Sequence, residues 1–127
     1  MANNKILGAS GEELACSFLG DKGYTVLHRN FRCRTGEIDI VARDGDTIVF
    51  VEVKTRTSDR YGAPYEAVGR TKQNRIVKTA LLYMQNNQLF DHMCRFDILE
   101  IIFDEDLKEH DINHITDAFQ YSGRYGY

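Results

Sequence analysis

The stretch Gly36–Arg56, GEIDIVARDGDTIVFVEVKTR, contains the most apolar run of the chain and interrupts it with charge. Ile48-Val49-Phe50-Val51 reads as a buried strand, yet Glu52 and Lys54 lie on its continuation. Glu37 and Asp39 break the apolar pattern upstream in the same way. Asp44-Gly45 is a strong hairpin signal, so strands over Gly36–Ala42 and Thr47–Thr55 are expected to pair antiparallel. Strand residues alternate faces. Ile48, Phe50, Glu52 and Lys54 therefore share one face, and so do Glu37, Asp39 and Val41. A turn centred on Asp44-Gly45 sets Val41 opposite Ile48, Asp39 opposite Phe50 and Glu37 opposite Glu52. All four charged side chains then emerge on one side. Any loop of even length preserves that outcome. Asp39 and Glu52 become diagonal neighbours, roughly 7–8 Å apart. Carboxylates at that spacing can converge on one small cation, and without one they repel. The competing reading is an exposed hairpin face on which Lys54 neutralises an acid. Ile48 and Phe50 on the same face weigh against it.

Outward from the hairpin, Ser10–Gly23 reads as a helix, with Ser10 and Glu13 as a capping box and Gly23 as the stop. Glu12 precedes Ala15 by three and Leu19 by seven, which places it on the stripe facing the core. Tyr24–Asn30 reads as a short strand and Arg56–Ala63 as a polar loop. Pro64 can open a helix over Tyr65–Asn86, with a break near Gly69 and a stripe of Ile76, Val77, Ala80, Leu81 and Met84. Arg95–Phe103 and Ile112–Phe119 complete the strands, and Arg95 and Asp97 share a face and can pair. The order predicts an α/β fold with a mixed central sheet flanked by helices. Residues 1–119 form one domain, and 120–127 are expected to be a mobile tail.

The composition excludes several classes. The chain has 127 residues, 43% hydrophobic and 28% charged, which is ordinary for a soluble domain. No apolar run approaches a membrane span and no signal-peptide core opens the chain, so a cytoplasmic location is expected. The three cysteines, Cys16, Cys33 and Cys94, are far apart and form no CxxC pair, which suits reduced thiols rather than zinc. His110 and His114 have helical spacing but lack acidic or thiol partners in a HExxH-type pattern. The net charge is −3, yet residues 54–90 carry 7 basic and 2 acidic groups. That zone can draw a polyanion, or it can be a solvated helix face.

Asp39, with Glu52-Val53-Lys54 after twelve intervening residues, resembles the PD-(D/E)xK nuclease pattern, with Ile38 at the proline position. Together with Gly36-Glu37, the run Phe50–Arg56, Tyr61-Gly62, Lys72-Gln73 and Arg95-Phe96-Asp97, the chain resembles the YraN-like family of bacterial proteins from about Gly8 to Phe119. That family is assigned to the nuclease superfamily and is similar to archaeal Holliday-junction resolvases. The resemblance implies a restriction-endonuclease-like fold and metal-dependent hydrolysis of DNA phosphodiesters, including branched DNA. It implies Mg²⁺, or Mn²⁺ in its place, on Asp39, Glu52 and the Val53 carbonyl, with Glu12 completing the shell. Lys54 would activate water and stabilise the scissile phosphate. Glu37, Lys72 and Gln73 would support the site. Arg56, Arg60, Arg70, Arg75 and Lys78 are candidate phosphate contacts, and a homodimer would suit paired cuts. The alternative is a nucleic-acid-binding module of the same fold with little or no cleavage.

Overall fold

The hairpin closes later along the chain than a turn centred on Asp44-Gly45 would place it. β2 (Gly36–Asp44) and β3 (Thr47–Thr57) pair antiparallel, with Asp44 opposite Thr47 and Val41 opposite Phe50. Gly45, at φ +60°, and Asp46 form the two-residue loop between them. A positive φ at the first loop position suits a type II′ hairpin turn and is free of steric strain only for glycine. The observed register puts Val41 against Phe50 instead of Ile48, a shift of two residues. An even shift leaves side chains on their faces.

The computed structural model describes residues 4–57, 69–106 and 108–120, with residues 4–10 described by backbone alone. The element order is α1 (Asn4–Asp21), β1 (Thr25–Cys33), β2, β3, α2 (Arg70–Asn86), β4 (Met93–Phe103) and β5 (His110–Phe119). The five strands form one sheet in sequence order. β3 and β4 run parallel, from Thr47 beside Met93 to Thr57 beside Phe103, and the other neighbours are antiparallel. A parallel pair needs a crossover connection, and α2 lies within it. The architecture is a mixed five-stranded sheet with two helices, an α/β fold compatible with the restriction-endonuclease-like class.

Two expected helix starts move. α1 begins at Asn4, so Ser10 and Glu13 lie inside the helix and do not cap it. Gly8 costs only about 1 kcal/mol in a helix, too little to stop propagation. Its end is as expected: Gly23, at φ +92°, donates to the Gly20 carbonyl and Tyr24 to that of Leu19, the paired bonds of a Schellman motif. α2 begins at Arg70 after an extended Gly69 (φ −67°, ψ 160°), so the break expected near Gly69 is the helix start. Tyr61-Gly62, Pro64 and the expected first turn at 65–68 lie outside the described residues, as does the tail beyond Gln120.

The core has two layers. Val41, Ile48, Phe50, Phe96 and Ile98 pack against Ile76, Val77, Ala80 and Tyr83 of α2. Ile40, Ala42, Val49, Val51, Leu99 and Ile101 pack against Ala15 and Leu19 of α1. β3 is covered on both faces, as a central strand with parallel pairing should be. α1 approaches closely because Gly11 has no side chain: a Cβ there would collide with the Thr55 methyl, while one at Gly20 would meet open space. Gly11→Ala is expected to destabilise the protein by about 1–3 kcal/mol. Gly20→Ala should stabilise it by about 0.5–1 kcal/mol. Urea unfolding of both variants checks the opposite signs.

Asp97, wholly buried, ties β5 to the sheet. It accepts from Arg95 Nε (2.9 Å) and Nη2 (3.1 Å), His114 Nε2 (2.8 Å) and the Asp117 N–H (3.0 Å). Burial pushes its carboxyl up, but these hydrogen bonds outweigh burial and hold it below the usual carboxylate range. The expected Arg95–Asp97 pairing is therefore present.

Candidate functional site: two carboxylates at the end of a ladder

Asp39 and Glu52 stand where the pairing of β2 and β3 stops. The last ladder pair is Ile40–Val51. Beyond it the Asp39 carboxylate takes the place of a main-chain acceptor, receiving the Val53 N–H at 2.8 Å. Extending the register by one step brings Asp39 opposite Glu52, rather than diagonal to it. Alternation also fails here. Ile38 packs with Val41 on the α2 side although they are three positions apart, while Ile40 and Ala42 pack on the α1 side. Parity therefore describes β3 well, but it is interrupted in β2 beside Asp39.

Glu52 is 5% exposed and Asp39 is partly buried. Burial pushes the Asp39 carboxyl up, and repulsion from Glu52 adds to this against the opposing Val53 N–H; the result is a pKa of about 7. Glu12 and Glu37 raise it further. Glu52 has a cationic partner, Lys72 Nζ at 3.1 Å from Oε2. Burial alone would lower the Lys72 pKa. The charge of Glu52 and the hydrogen bond to its carboxylate outweigh it and hold the ammonium above its ordinary range. Lys54 sits beside Lys72, and across the parallel ladder it neighbours Glu100.

The remaining sequence candidates separate. Glu12 has Arg29 Nη2 at 4.0 Å and is close enough to act electrostatically on Asp39. Among the described residues no three His, Cys, Asp or Glu side chains converge as a metal cluster. Glu37 does not face Glu52; it pairs with Arg32 at 2.9 Å across β1, because the register shift moves it past the end of the β2–β3 ladder. Gln73 lies in the first turn of α2, its N–H on the Gly69 carbonyl. Arg70, Arg75 and Lys78 are exposed on α2. Arg60 lies outside the described residues. Arg56 is held by Glu100, its Nε 3.1 Å from Oε2.

Glu100 is the residue that the sequence reading missed. It is 4% exposed, inside the apolar run of β4. The same signal that marked Glu52, an acid in a buried strand, marks it too. Only the parallel register places it next to Lys54.

The donors of Asp39 and Glu52 are hard oxygens. Among the described residues the Asp39 carboxylate has one neutral hydrogen bond and no ion pair. Such a pair suits a small divalent cation that keeps several waters and takes one or two carboxylates. No helix among the described residues is long and apolar enough to cross a membrane.

The profile described as "Uncharacterised protein family UPF0102" matches residues 11–101. A UPF0102 protein of Geobacter metallireducens is 52% identical over 118 residues, covering 93% of this chain and 95% of its own. UPF0102 proteins of Caldicellulosiruptor saccharolyticus and Clostridium kluyveri are 48% and 49% identical over 117 residues, each covering 92% of this chain. They span 99% and 96% of those proteins.

Proposed function

The chain belongs to the UPF0102 family, and from that premise we propose that it is a metal-dependent nuclease acting on DNA phosphodiesters, with branched DNA as the substrate to test first. The observation that carries the reading is the juxtaposition of Asp39 and Glu52 at the ladder end, with Lys54 and Lys72 beside them. A carboxylate whose ionisation is opposed by burial and by a neighbouring carboxylate forms a destabilised arrangement that a cation relieves. Mg²⁺, or Mn²⁺, would be held by Asp39 and Glu52 with the Val53 carbonyl, and when bound it supplies Lewis acidity toward a phosphoryl oxygen and a more acidic water. Lys54 presents a fixed positive charge to the oxygens on which charge develops, usually the largest single contribution to such catalysis. Lys72 neutralises Glu52 and keeps its carboxylate aimed into the site. A homodimer would place two such sites for paired cuts.

A cleavage screen over single-stranded, duplex, flap and four-way DNA, and RNA, with Mg²⁺ or Mn²⁺, tests the reading. Lys54→Ala is expected to lower the rate by about 10²–10³-fold. Activity that survives both Lys54→Ala and Glu52→Gln would place the reaction elsewhere.

Because the Asp39 carboxyl titrates near 7, a metal must displace its proton below that pH. Mn²⁺ affinity, measured by calorimetry, is expected to weaken by about tenfold per pH unit below 7 and to level off above it. A flat profile would remove Asp39 from the ligand set.

One observation favours the alternative, a nucleic-acid-binding module with little or no cleavage: Lys72 already supplies a cation to Glu52. On that reading Mn²⁺ leaves nucleic-acid affinity unchanged and the screen stays silent.

A further inference from the structure

We propose that Glu100 and Arg56 form a built clamp for a backbone phosphate beside the Asp39–Glu52 pair, with Arg56 as the contact and Glu100 as its positioning residue. The proposal rests on the nucleic-acid reading above and adds the residue pair that grips the strand.

Glu100 lies in β4 between Leu99 and Ile101, both fully buried, and is itself 4% exposed. A buried carboxylate is costly unless paired, and nothing in the strand's packing requires an acid there, since Ile98 and Ile102 occupy the neighbouring positions on the same face. Its partner is Arg56, bound through Nε to Oε2 at 3.1 Å. The terminal nitrogens of Arg56, Nη1 and Nη2, have no hydrogen-bond or ion-pair partner among the described residues. The guanidinium is planar and rigid. Anchoring Nε therefore fixes where the two terminal groups point, while the side chain stays 23% exposed. An arginine held on one edge and open on the other suits bidentate recognition of a phosphate.

The position agrees with that role. β3 runs Glu52, Lys54, Arg56 along one face, at every second residue. The β4 register puts Glu100 beside Lys54. Arg56 thus stands two strand positions beyond Lys54 and four beyond Glu52, about 13 Å from the latter along the strand. That is about two nucleotide steps at the extended backbone spacing, so Arg56 would meet the phosphate two steps from the one at the carboxylates. Exposed Arg70, Arg75 and Lys78 differ in kind, since among the described residues no buried acid pairs with them.

The test is binding of fluorescent duplex and four-way DNA in chelator, so that cleavage plays no part. Arg56→Gln is expected to weaken affinity roughly tenfold and to reduce the salt slope by about one. Glu100→Gln, which leaves Arg56 only a neutral acceptor in place of the carboxylate, should weaken affinity about threefold. The double variant should bind no more weakly than Arg56→Gln alone, because Glu100 acts only through Arg56. Stability should behave differently: Arg56→Gln strands a buried carboxylate and lowers the melting temperature, and adding Glu100→Gln restores it. A merely structural Glu100 would give additive binding losses that follow melting temperature. If the wild type binds and both single variants match it, the clamp is wrong and the nucleic-acid reading stands. If the wild type binds none of the probes, both are wrong.

Discussion

Asp39→Asn is expected to abolish Mg²⁺ and Mn²⁺ binding and to lower cleavage by about a hundredfold or more, while making the metal-free protein more stable at alkaline pH. The two effects have one cause. The folded-state pKa of Asp39 rises from an ordinary 3.8 to about 7. Between those values the folded chain holds a proton that the unfolded chain has released. Stability therefore falls as pH rises through that window, and the full penalty is present above about 7. Asparagine carries no charge to bury or repel, and its side-chain oxygen still accepts the Val53 N–H. After discounting for partial exposure and coupling to Glu52, the gain at pH 8 is about 1–3 kcal/mol. At about pH 3, below both values, the wild-type carboxyl is largely protonated in both states and the gain disappears. Urea unfolding in chelator at the two pH values measures it. A variant less stable than wild type at both would mean that repulsion does not burden this site. Function held at the expense of stability is a common pattern at active sites.

Asp97→Ala is the second large effect, in the opposite direction and away from the site. The substitution leaves Arg95, His114 and the Asp117 N–H without the acceptor they share. Removing one partner of a buried charged network costs about 3–5 kcal/mol, which corresponds to a fall of roughly 10–20 °C in melting temperature for a domain of this size. The sign against pH is the reverse of that for Asp39. The Asp97 carboxyl is held below its ordinary range, so its contribution is present above the unfolded pKa and is lost as pH falls through the folded value. Thermal unfolding of wild type and variant in acid should therefore converge. A loss under about 1 kcal/mol near neutrality would mean that the network adds little.

The central strands β2, β3 and β4 were legible because each contains a short apolar run, whereas the edge strands β1 and β5 are more polar and exposed. Ile48–Val51 had no other plausible use, and Asp44-Gly45 marked the turn. The hairpin register was off by two residues because a dipeptide signal does not say which loop positions take the positive φ; Gly45 at the first, not the second, decides it. The start of α1 was missed because Ser10 looks like a cap in any helix that begins there, while Asn4–Ala9 lacks a strong stop and simply continues the helix. The carboxylate pair survived the register error because the shifted register, carried one step past the ladder, still sets Asp39 against Glu52, and the Val53 N–H holds the Asp39 carboxylate there although alternation is interrupted beside it.

Sequence by itself determined what is local and periodic: which segments are strands, that β3 is buried, and that Asp39, Glu52 and Lys54 interrupt a hydrophobic hairpin. Tertiary structure alone decided which distant residues meet them. Lys72 reaches Glu52 because the crossover carries α2 back over the sheet. Glu100 adjoins Lys54 and holds Arg56 because β3 and β4 run parallel in one register, a pairing between segments more than forty residues apart that no local pattern encodes. Packing also gives Glu12 and Glu37 their partners, Arg29 near the first and Arg32 bound to the second, while both still act on Asp39 through their charge. Periodicity assigns a face; only packing assigns the neighbour on that face.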